Sequence, residues 1–463
     1  MNRFNLILDT DSYKYSHYLQ YPVGTKYLNA YIESRGGPYD ELVFFGLQMF
    51  LKEYLSRPIT QADIDEAEPF IRAHGEPFPR EGWEIIVNEY AGYLPLRIQA
   101  LPEGTIVAPH IPLVQVQNVD PRLPWLVGFI ETAILRAVWY PTTVASVSRN
   151  CKKNIKKYLD LTSDFADAEI NFKLHDFGAR GVSSLESAGI GGCAHLVNFM
   201  GTDTVPALVY ANRYYGADMA GFSIPASEHS TITSWGKENE REAFSNMIEQ
   251  FGGENKIYAC VSDSYNIWKA VDIWYSLKNQ IIDKGGTLVI RPDSGDPVAV
   301  VSRLIETLMT KFGYSVNKKG FKVLPPYLRV IQGDGVNEKS IEKILEFLYQ
   351  CGISASNIAF GMGGALLQQV NRDTLKFAYK CSAINKGNGV WEDVFKEPVT
   401  DSGKVSKKGI QKVVRRVNGG ALLATVESYD PWSKYMNELR VVWQNGQLFY
   451  DQSFDEIRKN ASL

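Results

Sequence analysis

The richest concentration of reactive side chains is Ser223-Ile-Pro-Ala-Ser-Glu-His-Ser-Thr231, which sets Glu228 and His229 side by side just past a short apolar stretch. Downstream, four more apolar runs end in acidic or Gly-rich turns: Val261-Ser-Asp-Ser-Tyr265, Arg291-Pro-Asp-Ser-Gly295, Gly333-Asp-Gly335 and Gly361-Met-Gly-Gly364. If those runs are neighbouring strands, one imidazole and several carboxylates converge at their ends. The chain has only 6 histidines, so one framed in this way carries weight. An acid–imidazole pair can serve as a general base or take up a group itself.

Other segments read as handles for anions and sugars. In Leu174-His-Asp-Phe-Gly-Ala-Arg-Gly181 the glycines flanking Arg180 let backbone and guanidinium approach a phosphate together. Carboxylates in Arg291-Pro-Asp-Ser-Gly-Asp296 and Gly333-Asp-Gly335 suit ribose hydroxyls, or a metal bridging phosphates, while glycine amides cradle phosphate oxygens. Gly361-Met-Gly-Gly364, followed by a helical pattern, suits a phosphate nest. Gly201-Thr-Asp-Thr204 reads alone as a plain turn. A ligand-facing Asp203 would instead accept from an amide and repel a carboxylate. Between 396 and 416 lie seven basic residues, Lys396, Lys404, Lys407, Lys408, Lys412, Arg415 and Arg416, against two acids. That run is either a solvated face or an electropositive funnel.

To position these groups the chain must supply strands and helices in alternation. Apolar strand candidates are Phe172–Leu174, Gly221–Ile224, Ile257–Val261, Thr287–Ile290, Tyr327–Ile331 and Asn357–Phe360, with helical periods such as Val300–Lys311 and Ser340–Gln350 between them. Such alternation is the sequence form of β/α units, and polar residues just past each strand fit a β/α barrel with chemistry at its C-terminal face. No Gly-rich dinucleotide turn favours the competing open sheet. Both chain ends differ from this. Lys26–Ile32, Leu94–Ala100, Thr105–Ala108 and Leu113–Val116, with Gly420–Thr425, Glu438–Trp443 and Gln447–Tyr450, predict one discontinuous α+β domain (1–145 and 375–463) flanking a barrel of residues 146–374.

Composition narrows the class further. With 463 residues, 45% hydrophobic and 22% charged, the chain reads as an ordinary globular protein of two domains. A net charge of −3 offers no general attraction to nucleic acid or an anionic membrane. Five scattered cysteines, Cys151, Cys193, Cys260, Cys351 and Cys381, form no CxxC and predict reduced thiols in a cytoplasmic protein. Phe4–Leu8 is too short for a signal core, and Leu123–Tyr140, carrying Glu131 and Arg136, reads as a buried amphipathic helix. GxxxxGK[ST], GxGxxG, HxH and HExxH are all missing, which sets aside P-loop, dinucleotide and zinc-hydrolase readings. So is the acidic, Thr-rich loop of type I phosphoribosyltransferases.

Taken together, the chain resembles the nicotinamide phosphoribosyltransferase family, type II phosphoribosyltransferases of NAD salvage. The resemblance is carried by Asp9-Thr-Asp-Ser-Tyr-Lys14, Lys173-Leu-His-Asp-Phe-Gly178, Arg180-Gly-Val-Ser-Ser184, Asn198-Phe-Met-Gly-Thr-Asp-Thr204 and Glu228-His-Ser-Thr-Ile-Thr233. It continues through Ile290-Arg-Pro-Asp-Ser-Gly295, residues 324–335, Ile358-Ala-Phe-Gly361, Lys407-Lys-Gly409 and Ser453-Phe-Asp-Glu-Ile-Arg-Lys-Asn460. It implies transfer of a 5-phosphoribosyl group from phosphoribosyl pyrophosphate to nicotinamide, with Mg²⁺ on the pyrophosphate. It also implies a homodimer with the active site at its interface.

By the same resemblance Phe177 stacks on the pyridine ring, helped by a partner's Tyr13, and Asp203 accepts from the carboxamide. Arg180 and Arg291 hold phosphates, Asp293 lies beside the ribose and nicotinamide, and Gly333, Asp334, Gly363 and Gly364 bind ribose and 5′-phosphate. Arg372, Lys380, Lys396 and Lys404 approach the phosphates. His229 matches a histidine that ATP phosphorylates, with Asp263 orienting it. Two positions depart from the family: alanine at 259, where a serine would offer the carboxamide a hydroxyl, and alanine at 378 near the phosphate. The segment Gly36-Gly-Pro-Tyr-Asp40 is shorter than in animal relatives, as in bacterial or viral forms. Alternatives are nicotinate phosphoribosyltransferase, whose carboxylate Asp203 would repel, and a non-catalytic signalling protein on the same barrel.

Overall fold

The computed structural model describes residues 4–400, 404–415, 422–426 and 436–462. The chain divides into two compact units, one of residues 1–146, 210–217 and 371–462, the other of residues 147–209 and 218–370.

The first unit is organised by a seven-stranded sheet in which all adjacent pairs are antiparallel. Its order is Trp391–Asp393, Phe377–Asn385, Tyr27–Ser34, Pro112–Asn118, Leu96–Ala100, Arg440–Gln444 and Gln447–Leu448. Four of the seven strands thus come from beyond residue 376, the last two of them paired with each other. Against the sheet packs an aromatic cluster in which Trp83, Trp125 and Phe129 meet edge to face at 5.0–5.7 Å. The expected strand at 420–425 is observed at Leu422–Val426, while Gly420 and Arg416 lie outside the described residues.

The second unit is the β/α barrel. Its six parallel strands run in the order Gly201–Thr202, Leu174–Asp176, Ile358–Met362, Leu328–Gln332, Thr287–Arg291 and Ile257–Val261. The sheet is curled so far that one short segment reaches both edge strands: Phe222 bridges Gly201 and Ala226 bridges Ala259. That segment was expected to be a strand at Gly221–Ile224. It makes only isolated bridges because Pro225 has no N–H to continue a ladder. Leu174–Asp176 begins later than expected since Ile170–Phe172 forms a 3₁₀ turn. Gly201–Thr202, read as a turn, is an edge strand.

Side chains alternate across the curled sheet. Ala259, Val289, Ile331 and Ala359 line an interior cavity, while Tyr258, Leu288 and Ile290 are fully buried on the other side of the same strands. Helix starts are fixed by short polar caps. Asp296 accepts from the Ala299 N–H at 2.8 Å with Pro297 at the first helical position, starting Pro297–Phe312. Asn337 caps Glu338–Gln350 in the same way. Both helices therefore begin a few residues after a strand, which leaves the intervening turns at one end of the barrel.

A 32-residue helix, Glu131–Thr162, runs well past the predicted Tyr140 despite Pro141 in its interior. Among the described residues no helix is long and apolar enough to cross a membrane.

Candidate active site

Phe177 follows directly on the strand Leu174–Asp176, and its backbone N–H bonds to the Met362 carbonyl at 3.0 Å. Its ring passes over the strand Ile358–Met362 at Gly361. A Cβ there would sit 2.0 Å from the ring, so this strand position must be glycine. Asp203 is the residue after the edge strand Gly201–Thr202, and its N–H is held by the Asp176 carbonyl at 2.9 Å. Arg291 closes its strand, and its guanidinium forks onto Asp293, Nε to Oδ1 at 3.2 Å and a terminal nitrogen to Oδ2 at 2.7 Å. The turn after that strand thus folds back on its own arginine.

These groups line two cavities. One, of about 420 Å³, is bounded by Phe177, Arg180, Asp203, Arg291, Asp293, Gly333, Asp334 and Gly363. These eight were named as candidates in the sequence, and Ala179 and Thr204, which line the same cavity, were not. Gly364 starts a four-residue helix, Gly364–Leu367, and a Cβ on it would meet open space. The other cavity, of about 480 Å³, lies within the barrel and has mostly apolar walls, among them Ala259, Val289, Ile331 and Ala359. Phe177, Asp203 and Arg291 line both.

His229 is the first residue of the short helix His229–Thr233, with its side chain 44% exposed. Glu228 does not face the imidazole. Its carboxylate receives the Ser230 hydroxyl, so the expected acid–imidazole pair is not formed by sequence neighbours. The facing carboxylates are Asp263 and Asp293, at 3.7 and 3.5 Å from Nε2. Nδ1 lies 3.1 Å from the Ser264 hydroxyl. Asp263 accepts from the Asp293 N–H at 2.8 Å and from Ser294 Oγ at 2.5 Å through Oδ2. Its Oδ1 is buried without a hydrogen-bond partner and points to the histidine side. Asp263 therefore ties the 291–294 turn and the imidazole together. Such an arrangement presents Nε2 to two carboxylates and leaves Nδ1 to the serine hydroxyl.

Two buried groups back the ring-facing wall. Asp176 is completely buried, with Oδ1 accepting from the Gly178 N–H at 2.7 Å. Burial pushes its carboxyl up to about 6, against the pull of that N–H. His175 is held below its ordinary range by burial, and its Nε2 lies 3.0 Å from the Phe172 carbonyl. A carbonyl can only accept, so the ring proton sits on Nε2. Asp176, Ser264 and Ser223, the last of which donates to Asp203 Oδ1 at 2.5 Å, were not singled out. A serine or aspartate in a turn carries no mark of its partner in the sequence.

The remaining candidates belong to the first unit. Arg372, Lys380, Lys396 and Lys404 line one cavity of about 500 Å³ there, with Arg35, Lys376 and Glu131. Burial holds Lys380 below its ordinary range, and neighbouring Arg35, Lys396 and Arg372 push the same way against Glu131. Cations crowded in this manner are relieved by an anion. Ala378 lines the same cavity. Lys407 is turned elsewhere, onto Glu33. Tyr13 lies in the turn Ser12–Leu19, half exposed, with its ring 5.0 Å from that of His17.

Comparison with known proteins agrees across the whole length. The nicotinate phosphoribosyltransferase (NAPRTase) family matches residues 172–445, and the N-terminal domain of nicotinamide phosphoribosyltransferase matches residues 5–98. A nicotinamide phosphoribosyltransferase of Xanthomonas campestris pv. campestris is 51% identical over 463 residues, covering 99% of this chain and 98% of that one. One from Acinetobacter baylyi is 32% identical, covering 99% and 97%. Among solved structures, nicotinate-nucleotide pyrophosphorylase from Pyrococcus furiosus shares the fold with a TM-score of 0.63 at 16% identity, covering 100% and 97%. Human nicotinic acid phosphoribosyltransferase does so with 0.56 at 16%, covering 98% and 93%.

Proposed function

We propose that this chain, which belongs to the nicotinate phosphoribosyltransferase family, is a nicotinamide phosphoribosyltransferase of NAD salvage. It converts nicotinamide and 5-phosphoribosyl pyrophosphate to nicotinamide mononucleotide and pyrophosphate. The observation that carries the choice of base is Asp203, an acceptor-only side chain shared by the apolar cavity and the charged one. A carboxamide offers it N–H donors. The carboxylate of nicotinate would meet it as a like charge.

The apolar cavity takes the flat ring, with Phe177 as the aromatic face. Arg180, Asp334 and the glycine turns at Gly333 and Gly363 take the ribose and its phosphate. In the reaction the pyridine nitrogen forms a bond to the anomeric carbon as the bond from that carbon to the pyrophosphate oxygen breaks. The oxygen leaves with the electron pair, and the ring becomes a pyridinium. The protein's share is to hold donor and acceptor in line and to balance the departing charge, in part through Arg180 and Arg291.

Mg²⁺ belongs to the proposal as a companion of the pyrophosphate. Among the described residues no three His, Cys, Asp or Glu side chains are placed to hold a metal ion, so its ligands would be phosphate oxygens and waters, and it would supply charge neutralisation. ATP enters through His229. With Nδ1 beside the Ser264 hydroxyl, Nε2, which lies 3.7 and 3.5 Å from Asp263 and Asp293, is the nitrogen left to take the terminal phosphoryl group of ATP as ADP leaves. The basic cavity of the first unit suits polyphosphate, and the proposal includes a cytoplasmic homodimer in which Tyr13 and these cations serve a partner's site.

The test is to follow mononucleotide and pyrophosphate from nicotinamide and phosphoribosyl pyrophosphate, with and without ATP. Equal release of both products is expected, raised by ATP. His229→Ala should lose ATP hydrolysis and the stimulation while keeping a basal rate. A variant stimulated as well as the parent would remove His229 from that role, and no product from nicotinamide would overturn the reaction itself.

A further inference from the structure

Asp203 is exposed at the cavity wall, and an exposed carboxylate is a rotor. To read one substituent on a ring it must be held, because an unfixed carboxylate spends its hydrogen-bond gain on ordering. Two contacts hold it. Its backbone N–H is fixed by the Asp176 carbonyl, and its Oδ1 accepts the Ser223 hydroxyl at 2.5 Å. Ser223 lies on the segment that bridges the two edge strands, one residue past the Phe222–Gly201 bridge. The backbone that brings the barrel's edges together thus also delivers the hydroxyl.

We infer that Ser223 is the positioning residue for base selection: its O–H fixes Asp203 Oδ1, so that Oδ2 alone faces the ring substituent. A serine hydroxyl has one proton. Once that proton is given to Asp203, Ser223 has only lone pairs to show the cavity. Nearby, Ala259 has no hydroxyl to give and His175 spends its Nε2 proton on Phe172. Arg291, which also lines this cavity, commits two of its five N–H groups to Asp293. Asp203 and Ser223 therefore form an acceptor edge on this wall, which suits the N–H groups of a carboxamide and penalises a carboxylate. This inference rests on the reading of the site as one for nicotinamide, and it places the selectivity in a pair of residues.

The experiment compares steady-state kinetics with nicotinamide and with nicotinate for the parent, Ser223→Ala and Ser223→Thr. Ser223→Ala should raise KM for nicotinamide about tenfold, leave kcat within about twofold, and lower the nicotinamide-to-nicotinate ratio of kcat/KM about tenfold. Ser223→Thr, which keeps the hydroxyl, should stay within about threefold of the parent on each measure. A parent that prefers nicotinate overturns both the site reading and this inference. A parent that prefers nicotinamide, with an unchanged ratio in Ser223→Ala, overturns the inference alone. So does a threonine variant no better than the alanine one, since the side chain would then act by packing.

Discussion

The two cavities of the barrel differ in chemistry and meet at three residues. The inner one is walled by Ala259, Val289, Ile331 and Ala359, where strand alternation turns small and branched side chains inward. The outer one is made of turns that follow the strands, with Arg180, Asp293, Asp334 and the glycines at 333 and 363. Regular strands build a surface fit for a neutral ring, and irregular turns build one fit for charge. Phe177, Asp203 and Arg291 belong to both, and on the proposed function the reacting bond belongs where they stand. Position along the strand decides which chemistry a residue serves.

Breaking the junction should cost more than altering either side. Arg291→Ala removes a cation common to both cavities and releases Asp293. A loss of about 10²–10³ in kcat/KM is expected, similar for nicotinamide and nicotinate. A loss confined to one base would move Arg291 out of the junction. Asp203→Asn should act on selectivity, since it removes the like charge that penalises a carboxylate. The nicotinamide-to-nicotinate ratio should fall roughly a hundredfold, and an unchanged ratio would show that Asp203 is not the reader.

Asp176 tests what stands behind the junction. Its folded pKa of about 6 lies above its ordinary 3.8, so its contribution is full below about pH 4 and is lost as pH rises through about 6. By pH 8 the buried charge costs on the order of 3 kcal/mol. Asp176→Asn stays neutral while keeping an acceptor for the Gly178 N–H. Its Tm relative to the parent should therefore climb between pH 4 and pH 8, and a difference constant with pH would contradict a buried ionising carboxyl. Ala259→Ser is the smallest change. A hydroxyl on the inner wall should lower KM for nicotinamide by roughly three- to tenfold, and no change would place the carboxamide away from that strand.

Much of this was legible because parallel strands buried on both faces are written as apolar runs. Ile257–Val261 and Thr287–Arg291 stand out in this way, and each ends at the acidic or Gly-rich turn that carries its functional residue. Gly201–Thr202 was not legible. Two residues without an apolar run earn strand geometry only from their neighbours, Leu174–Asp176 and Phe222. The segment at Gly221–Ile224 had the right composition but Pro225 interrupts its ladder. Within the site, charged and aromatic residues were visible by type, whereas Ser223, Ser264 and Asp176 matter through distances that only the fold creates. The same holds for Glu228, whose place beside His229 in sequence is not a contact in space.

On the proposed function Asp203, at the junction of the two cavities, chooses the amide over the acid. That choice is tested most directly by giving the unmodified protein equal concentrations of nicotinamide and nicotinate with limiting phosphoribosyl pyrophosphate. Nicotinamide mononucleotide should form in excess of the nicotinate product by a hundredfold or so. Equal amounts of the two products, or an excess from nicotinate, would contradict the account.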